Sequence, residues 1–215
     1  MGRAHGMSGI SGEWHAVMAS EGERELEYRL SLAGPEDTMR GVFFRSTQEA
    51  VLAMKGPAAV TDILEEGGGA RGFVDFFAYP TKDFLRVLKR AAWLLGGSVG
   101  GFDAAMRVLG NLVTSSFLGS LLGNTIHVLF TGTPRRVLEN LPMAYKLMMP
   151  TGGGLSVVWL GHTHCRIIFE RDFLPRSYVE GSLEAHLKKA GARSLRITGR
   201  LTGSLSSEYD VSWEP

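Results

Sequence analysis

The sequence changes character at Thr151, and this change limits the fold more than any other feature. Before it, apolar residues recur mainly at helical spacing, whereas after it short runs alternate apolar and polar residues as half-buried strands do. The clearest helical pattern follows Thr81, where Phe84, Leu88 and Leu95 share one face. Helices followed by strands are typical of α+β folds. We therefore predict an N-terminal helical layer packed on a small, mainly antiparallel C-terminal sheet.

The second part of the chain predicts four strands around one helix. Residues 155–160 and 165–169 are β-prone runs, and residues 176–190 have leucines and a valine at spacing four, as a helix does. Residues 195–201 and 209–213 both alternate, with Gly and Ser between them. This last pair is typical of an antiparallel hairpin.

The first part of the chain predicts one strand and several helices. Leu26, Tyr28, Leu30 and Leu32 alternate with polar residues, which favours a strand. Ser46, followed three residues later by Glu49, fits a capping box at the start of a helix. Further helices are predicted at 57–66, 81–95, 103–110, 111–130 and 134–149, with a loop at 96–101 and a kink or early end at Pro142.

Composition predicts an ordinary globular chain. The 215 residues carry a net charge of +1, which provides no field to attract nucleic acid. The single cysteine, Cys165, favours a reducing compartment, so we expect the protein to be cytoplasmic. We predict a flexible tail at residues 1–22 and a single α/β domain at residues 23–215.

Residues 112–130 are uncharged and approach the length of a membrane span. They include serines, threonines, Asn124 and His127, and a lipid-facing helix could not satisfy these groups. We therefore predict a buried core helix, in which Gly119 and Gly123 allow a close approach by another backbone.

One motif raises the possibility of a hydrolase. Gly96 to Gly100 fits G-x-S-x-G around Ser98, and Asp172 and His186 follow in the chain order of an α/β-hydrolase. However, that motif requires a strand before the serine, and here a helix precedes it. An ordinary loop is the better interpretation, with Ser98 kept as an alternative nucleophile.

A second motif raises the possibility of a metal site. His162 and His164 are two apart, so on a strand both imidazoles would point the same way and could share a metal ion. A third ligand is not marked by spacing. The pair is therefore a weak metal candidate.

Aromatic residues are numerous enough to line a pocket for an apolar molecule. The candidates for ligand binding are Phe77, Tyr79, Trp93 and Phe117.

A collinear set of segments resembles one known family. The segments share no single specific motif, but their order is specific, and they lie at 29–32, 35–44 (PEDTMRGVFF), 78–80, 109–111, 117–119, 134–136, 141–145, 178–185 (YVEGSLEA) and 190–192. They are similar to a large paralogous family of uncharacterised proteins of the myxobacteria, over approximately Glu23 to Trp213. The resemblance implies a domain without assigned chemistry, and favours regulation over metabolism.

A more distant likeness concerns the order of elements. Helices, two strands, a helix with Gly181 and a closing hairpin resemble the superfamily of haem-based nitric-oxide sensors, vinyl-reductase-type domains and vesicle-tethering subunits of Golgi transport. This likeness implies an α/β fold that binds ligands or dimerises. The sensors' Tyr-x-Ser-x-Arg motif and the cysteines of many vinyl-reductase-type domains are absent, so haem or metal is not expected and the cofactor stays unknown.

These observations favour a non-enzymatic cytoplasmic regulatory module. It would hold a small apolar ligand between helices and sheet, or pair with a protein partner, with a homodimer expected. Two alternatives stay open: an enzyme that uses Ser98 or His162 and His164, and a structural scaffold without a pocket.

Overall fold

The computed structural model describes residues 19–67, 72–119 and 131–214. Within these ranges it has seven helices and six strands. In chain order they are α1 (Glu21–Leu32), β1 (Thr38–Arg40), α2 (Gly41–Lys55), α3 (Pro57–Glu66), β2 (Ala78–Pro80), α4 (Thr81–Val99), α5 (Phe102–Gly119), α6 (Pro134–Met148), β3 (Leu155–Trp159), β4 (His164–Phe169), α7 (Arg176–Lys189), β5 (Arg193–Gly203) and β6 (Ser206–Glu214).

The predicted α+β architecture is confirmed. The C-terminal strands form one antiparallel sheet in the order β3-β4-β6-β5. Alternate side chains of β4 and β6, including Cys165, Ile167, Tyr209 and Val211, are fully buried, because residues two apart on a strand face the same side. Helix α7 packs against both α5 and β5, so it joins the helical layer to the sheet.

The strand predicted at residues 26–32 is wrong, because these residues form helix α1. Ser20 caps this helix, and its hydroxyl accepts a hydrogen bond of 3.2 Å from the backbone amide of Glu23. Leu26 is buried, while Tyr28 is 51% exposed, so the alternating residues do not share one face. The side chain buried beside Leu26 is that of Arg29.

Three predicted boundaries also differ from the structure. Helix α2 begins at Gly41 with Arg40 as its N-cap, so Ser46 lies inside the helix and caps nothing. Helix α4 continues through the predicted loop as far as Val99. Helix α5 runs without a break past Asn111, where a second helix was predicted to start.

Other local predictions are confirmed. The helix predicted at 57–66 begins at Pro57, which opens α3 directly after Gly56, with φ of +82°, ends α2. Thr133 caps α6, but the early end predicted at Pro142 is wrong, because the helix continues to Met148. A small antiparallel sheet of β1 and β2 was missed, because each of its strands has only three residues.

The uncharged stretch predicted as one core helix is only partly described. Residues 112–119 form the end of α5, and Gly123 lies outside the described residues. Within the described ranges, every helix is too short or too polar to cross a membrane.

Helices α5 and α7 touch through their backbones. A Cβ atom added to Gly110 would lie 2.0 Å from the carbonyl oxygen of Tyr178, and one added to Gly181 would lie 2.0 Å from that of Arg107. One turn further along, Thr114 donates a hydrogen bond of 2.8 Å to Ser182. Only glycine permits this approach, which fixes α7 against the helical layer.

Candidate functional site

A cavity of about 80 Å³ lies between the helical layer and the sheet. Its walls come from α2, α5, α6, α7, β3 and β4, and most of the side chains are apolar, among them Phe117, Leu141, Met148, Phe169 and Leu183. An engineered apolar cavity of about 150 Å³ stays dry and binds benzene or xenon. A cavity about half that size suits an apolar molecule of a few heavy atoms.

The described lining includes five polar side chains, and two of them bond to each other. The hydroxyl of Thr114 donates to that of Ser182, one turn beyond the glycine contact. Nδ1 of His186 lies 2.9 Å from the backbone carbonyl oxygen of Ser182. Burial lowers the pKa of His186 to about 4, so its imidazole is neutral at pH 7.

The other two polar lining residues are Tyr145 and Tyr178. The hydroxyl of Tyr145 donates to Oδ1 of Asp172 at 3.2 Å, and Asp172 is fully buried. Burial raises the pKa of Asp172 to about 6. The same carboxyl group, together with burial, raises the pKa of Tyr178. One end of the cavity therefore adjoins a buried acid.

A charged network lies around Asp172. Arg29 is fully buried and donates to the backbone carbonyl of Asp172 and, at 2.8 Å, to the hydroxyl of Ser207. Its Nε donates a hydrogen bond of 2.9 Å to the carboxylate of Glu25. The same carboxylate accepts a second hydrogen bond, of 2.8 Å, from Nε of Arg176. Arg176 also bonds to Glu21, so the two guanidinium groups lie among three acidic side chains, those of Glu21, Glu25 and Asp172.

The structure brings one of the four predicted ligand-binding residues to the cavity. Phe117 lines it. Phe77 is 63% exposed, and Tyr79 packs in an aromatic cluster with Phe44, 5.6 Å between ring centroids. Trp93 is 48% exposed and lines a groove on the outside of α4. Phe77, Tyr79 and Trp93 do not line this cavity, so their role in ligand binding remains a prediction.

The hydrolase alternative is not supported by the position of Ser98. This serine lies in the last turn of α4, where its hydroxyl donates a hydrogen bond of 2.8 Å to the carbonyl oxygen of Leu95. A nucleophile elbow instead lies between a strand and a helix. Across the part of the chain that the structure describes, no hydrogen bond joins Ser98 to a histidine.

The metal alternative lacks a ligand set as well. His164 pairs with Asp210 at 3.0 Å, on the outer face of the sheet, and His162 is exposed in the turn before it. Among residues 19–67, 72–119 and 131–214, no group of three or more His, Cys, Asp or Glu could hold an ion. Cys165 is buried on the opposite face, where burial raises its pKa to about 12.

Comparison with known sequences gives one family. Residues 33–214, most of the chain, match the family described as "Protein of unknown function (DUF2378)". No curated protein matches the chain.

Comparison with solved structures gives H-NOX proteins. An H-NOX protein from S. oneidensis in the Fe(II)NO ligation state is 13% identical, with a TM-score of 0.67, and the match covers 82% of this chain and 100% of that one. One from K. algicida, Fe(II) unliganded, is 12% identical with a TM-score of 0.62, covering 82% and 97%. An oxygen-binding H-NOX domain related to soluble guanylate cyclases is 11% identical with a TM-score of 0.60, covering 82% and 96%. At these identities the likeness shows a shared fold.

The described lining does not fit the haem that this fold suggests. Drug-sized ligands occupy pockets of about 300–1,000 Å³, and a haem is larger than these ligands, whereas the cavity measures about 80 Å³. His186 is a side chain of an iron-binding type, but the lining has no Lys or Arg among the described residues to pair with propionates. We therefore derive no chemistry from haem.

Proposed function

We propose that this protein, which belongs to the family of proteins of unknown function DUF2378, is a non-catalytic regulatory module that binds a small apolar molecule. The ligand occupies the cavity between the helical layer and the sheet. The observation that carries the proposal is the cavity itself, lined mainly by apolar side chains from both layers.

An unfilled cavity destabilises the folded protein, and a bound ligand can restore part of the lost stability. Cavities in protein cores cost about 24 cal/mol per Å³, so 80 Å³ corresponds to about 2 kcal/mol. A molecule that fills the space restores the missing contacts. Binding of a small apolar molecule is therefore favoured at this position.

The position of the cavity suits a regulatory role. Its walls combine four helices and two strands, so an occupant contacts both layers at once. Two of the H-NOX proteins that share this fold are described with nitric oxide or oxygen bound, which by analogy supports a small uncharged ligand here. A ligand that prefers one arrangement of the layers would shift the population of the two.

Xenon tests the proposal, because it is apolar and of suitable size. We expect xenon to shift the NMR signals of cavity residues such as Val113 and Leu183 in the wild-type protein. Ala144→Leu places a larger side chain in the cavity wall and should abolish the shifts. The control Ala53→Leu, on the exposed side of α2, should keep them. Absence of shifts in the wild type, or shifts that persist in Ala144→Leu, would contradict the proposal.

The remaining expectations are part of the same proposal. We propose that the protein is cytoplasmic and homodimeric, and that its family is confined to myxobacteria. Native mass spectrometry of the purified protein tests the assembly and any retained ligand together. A ligand-free monomer would count against both.

A further inference from the structure

The Tyr178 hydroxyl is a buried polar group that the fold leaves unused. Tyr178 is 1% exposed and lines the cavity, and its hydroxyl has no hydrogen-bond partner among the described residues. Buried polar groups in native proteins nearly always have a partner. An unpartnered hydroxyl in a cavity wall therefore indicates that something else provides the bond.

A second unpartnered atom lies close to the end of the cavity formed by Tyr145 and Tyr178, although its residue is not among the described lining residues. Asp172 is fully buried, and its Oδ1 accepts from Tyr145 and from the amide of Leu174, but its Oδ2 has no partner among the described residues. Tyr145 lines the cavity together with Tyr178. The carboxyl group of Asp172 also lies close enough to Tyr178 to raise the pKa of the tyrosine. Besides the polar groups of Thr114, Ser182 and His186, the mainly apolar cavity thus has a polar end where Tyr145 and Tyr178 adjoin Asp172.

The charged side chains near this end of the cavity determine which polar group of a ligand can bind there. Arg29 and Arg176 both bond to Glu25, Arg176 also bonds to Glu21, and Arg29 donates to the backbone carbonyl of Asp172, so these guanidinium groups are already engaged. The described lining of the cavity has no Asp, Glu, Lys or Arg, so a cationic or anionic ligand would bury a charge without a partner, which is costly. A neutral hydroxyl can donate and accept hydrogen bonds and adds no charge.

We infer that the ligand of this cavity is a small neutral alcohol whose hydroxyl hydrogen-bonds to that of Tyr178 while its apolar part fills the cavity. This inference rests on the proposed function. It adds a chemical class and a residue that recognises it.

Two probes of similar shape test the inference, 1-propanol and 1-chloropropane. Their dissociation constants are measured by NMR titration of cavity residues in the wild-type protein and in Tyr178→Phe. A single neutral hydrogen bond is worth about tenfold in affinity. We therefore expect Tyr178→Phe to weaken 1-propanol about tenfold and to leave 1-chloropropane unchanged. The control Tyr28→Phe, at an exposed tyrosine, should change neither constant.

The outcomes separate this inference from the proposed function. If 1-chloropropane binds but 1-propanol is unaffected by Tyr178→Phe, the inference is wrong and the apolar cavity remains. If neither probe nor xenon binds, the proposed function itself is wrong.

The melting temperature of Tyr178→Phe is a second measurement. Removal of an unpartnered hydroxyl should leave it unchanged or raise it. A clear decrease would show that a bound water already occupies the polar end, which would overturn the inference.

Discussion

Gly110→Ala tests whether the backbone contact between α5 and α7 holds the helical layer on the sheet. The new Cβ would lie 2.0 Å from the carbonyl oxygen of Tyr178, whereas ordinary contacts begin at 3.4 Å. The obstacle is backbone and cannot rotate away, so the helices would have to separate by roughly 1 Å or more.

The expected loss of stability follows from two opposing effects. Overpacking of a core typically costs 1–3 kcal/mol, and a backbone obstacle favours the upper end of that range. Alanine regains about 1 kcal/mol of helix propensity relative to glycine. The free energy of unfolding should therefore fall by about 2 kcal/mol.

Urea denaturation measures this loss as a shift in the midpoint. With a slope of about 2 kcal/mol/M, the midpoint of Gly110→Ala should fall by about 1 M. The matched control is Gly97→Ala, also in a helix, where nothing lies within 4 Å of the added Cβ. This control should gain about 0.5 kcal/mol. Equal midpoints for the two variants would refute the close contact.

Three further predictions concern buried ionisable groups. Arg29→Met should cost about 2–3 kcal/mol in urea denaturation, because it removes one of the two guanidinium partners of the buried Glu25 and the donor to Ser207, while Arg176 stays paired with Glu25; a loss no larger than that of the exposed Arg24→Met would contradict this. Asp172 has a folded pKa of about 6 against an ordinary 3.8, so the folded state binds its proton more tightly and stability falls as pH rises from about 4 to 6. Between pH 4 and 6 the free energy of unfolding of the wild type should fall by about 3 kcal/mol relative to that of Asp172→Asn. If the unfolding free energies of the two proteins changed in parallel with pH, the argument from burial would be wrong. The imidazole of His186 should stay neutral down to about pH 4 in ¹⁵N NMR spectra, and protonation by pH 6 would contradict its burial.

The fold class could be predicted because the burial of one face of a strand or helix produces a pattern of apolar residues in the local sequence. Cys165, Ile167 and Phe169 lie two apart in β4 and each of them is buried, although the apolar Ile168 interrupts the alternation with polar residues. The same reasoning failed for α1, where Leu26 to Leu32 also alternate. A better local signal was present, since Ser20 and Glu23 fit a capping box and Glu25 and Arg29 have helical spacing.

The cavity could be predicted only in part. Phe117 was found because aromatic side chains often line pockets, but the same argument selected Trp93, which lies off the apolar face of α4 and is exposed. Tyr178 carried no signal as a ligand residue. Its environment depends on Asp172 and on the glycine contact with α5, and neither is visible in the sequence around it.

Helix α1 has a practical consequence for work with fragments of this protein. The family match begins at residue 33, after the helix ends, yet Arg29 inserts into the interior and reaches residues more than 140 positions away. A recombinant fragment trimmed to the matched region would lose that guanidinium and the apolar cover provided by Leu26. Expression boundaries should therefore be placed before the capping serine at position 20, since the limits of sequence similarity are narrower than those of the folding unit.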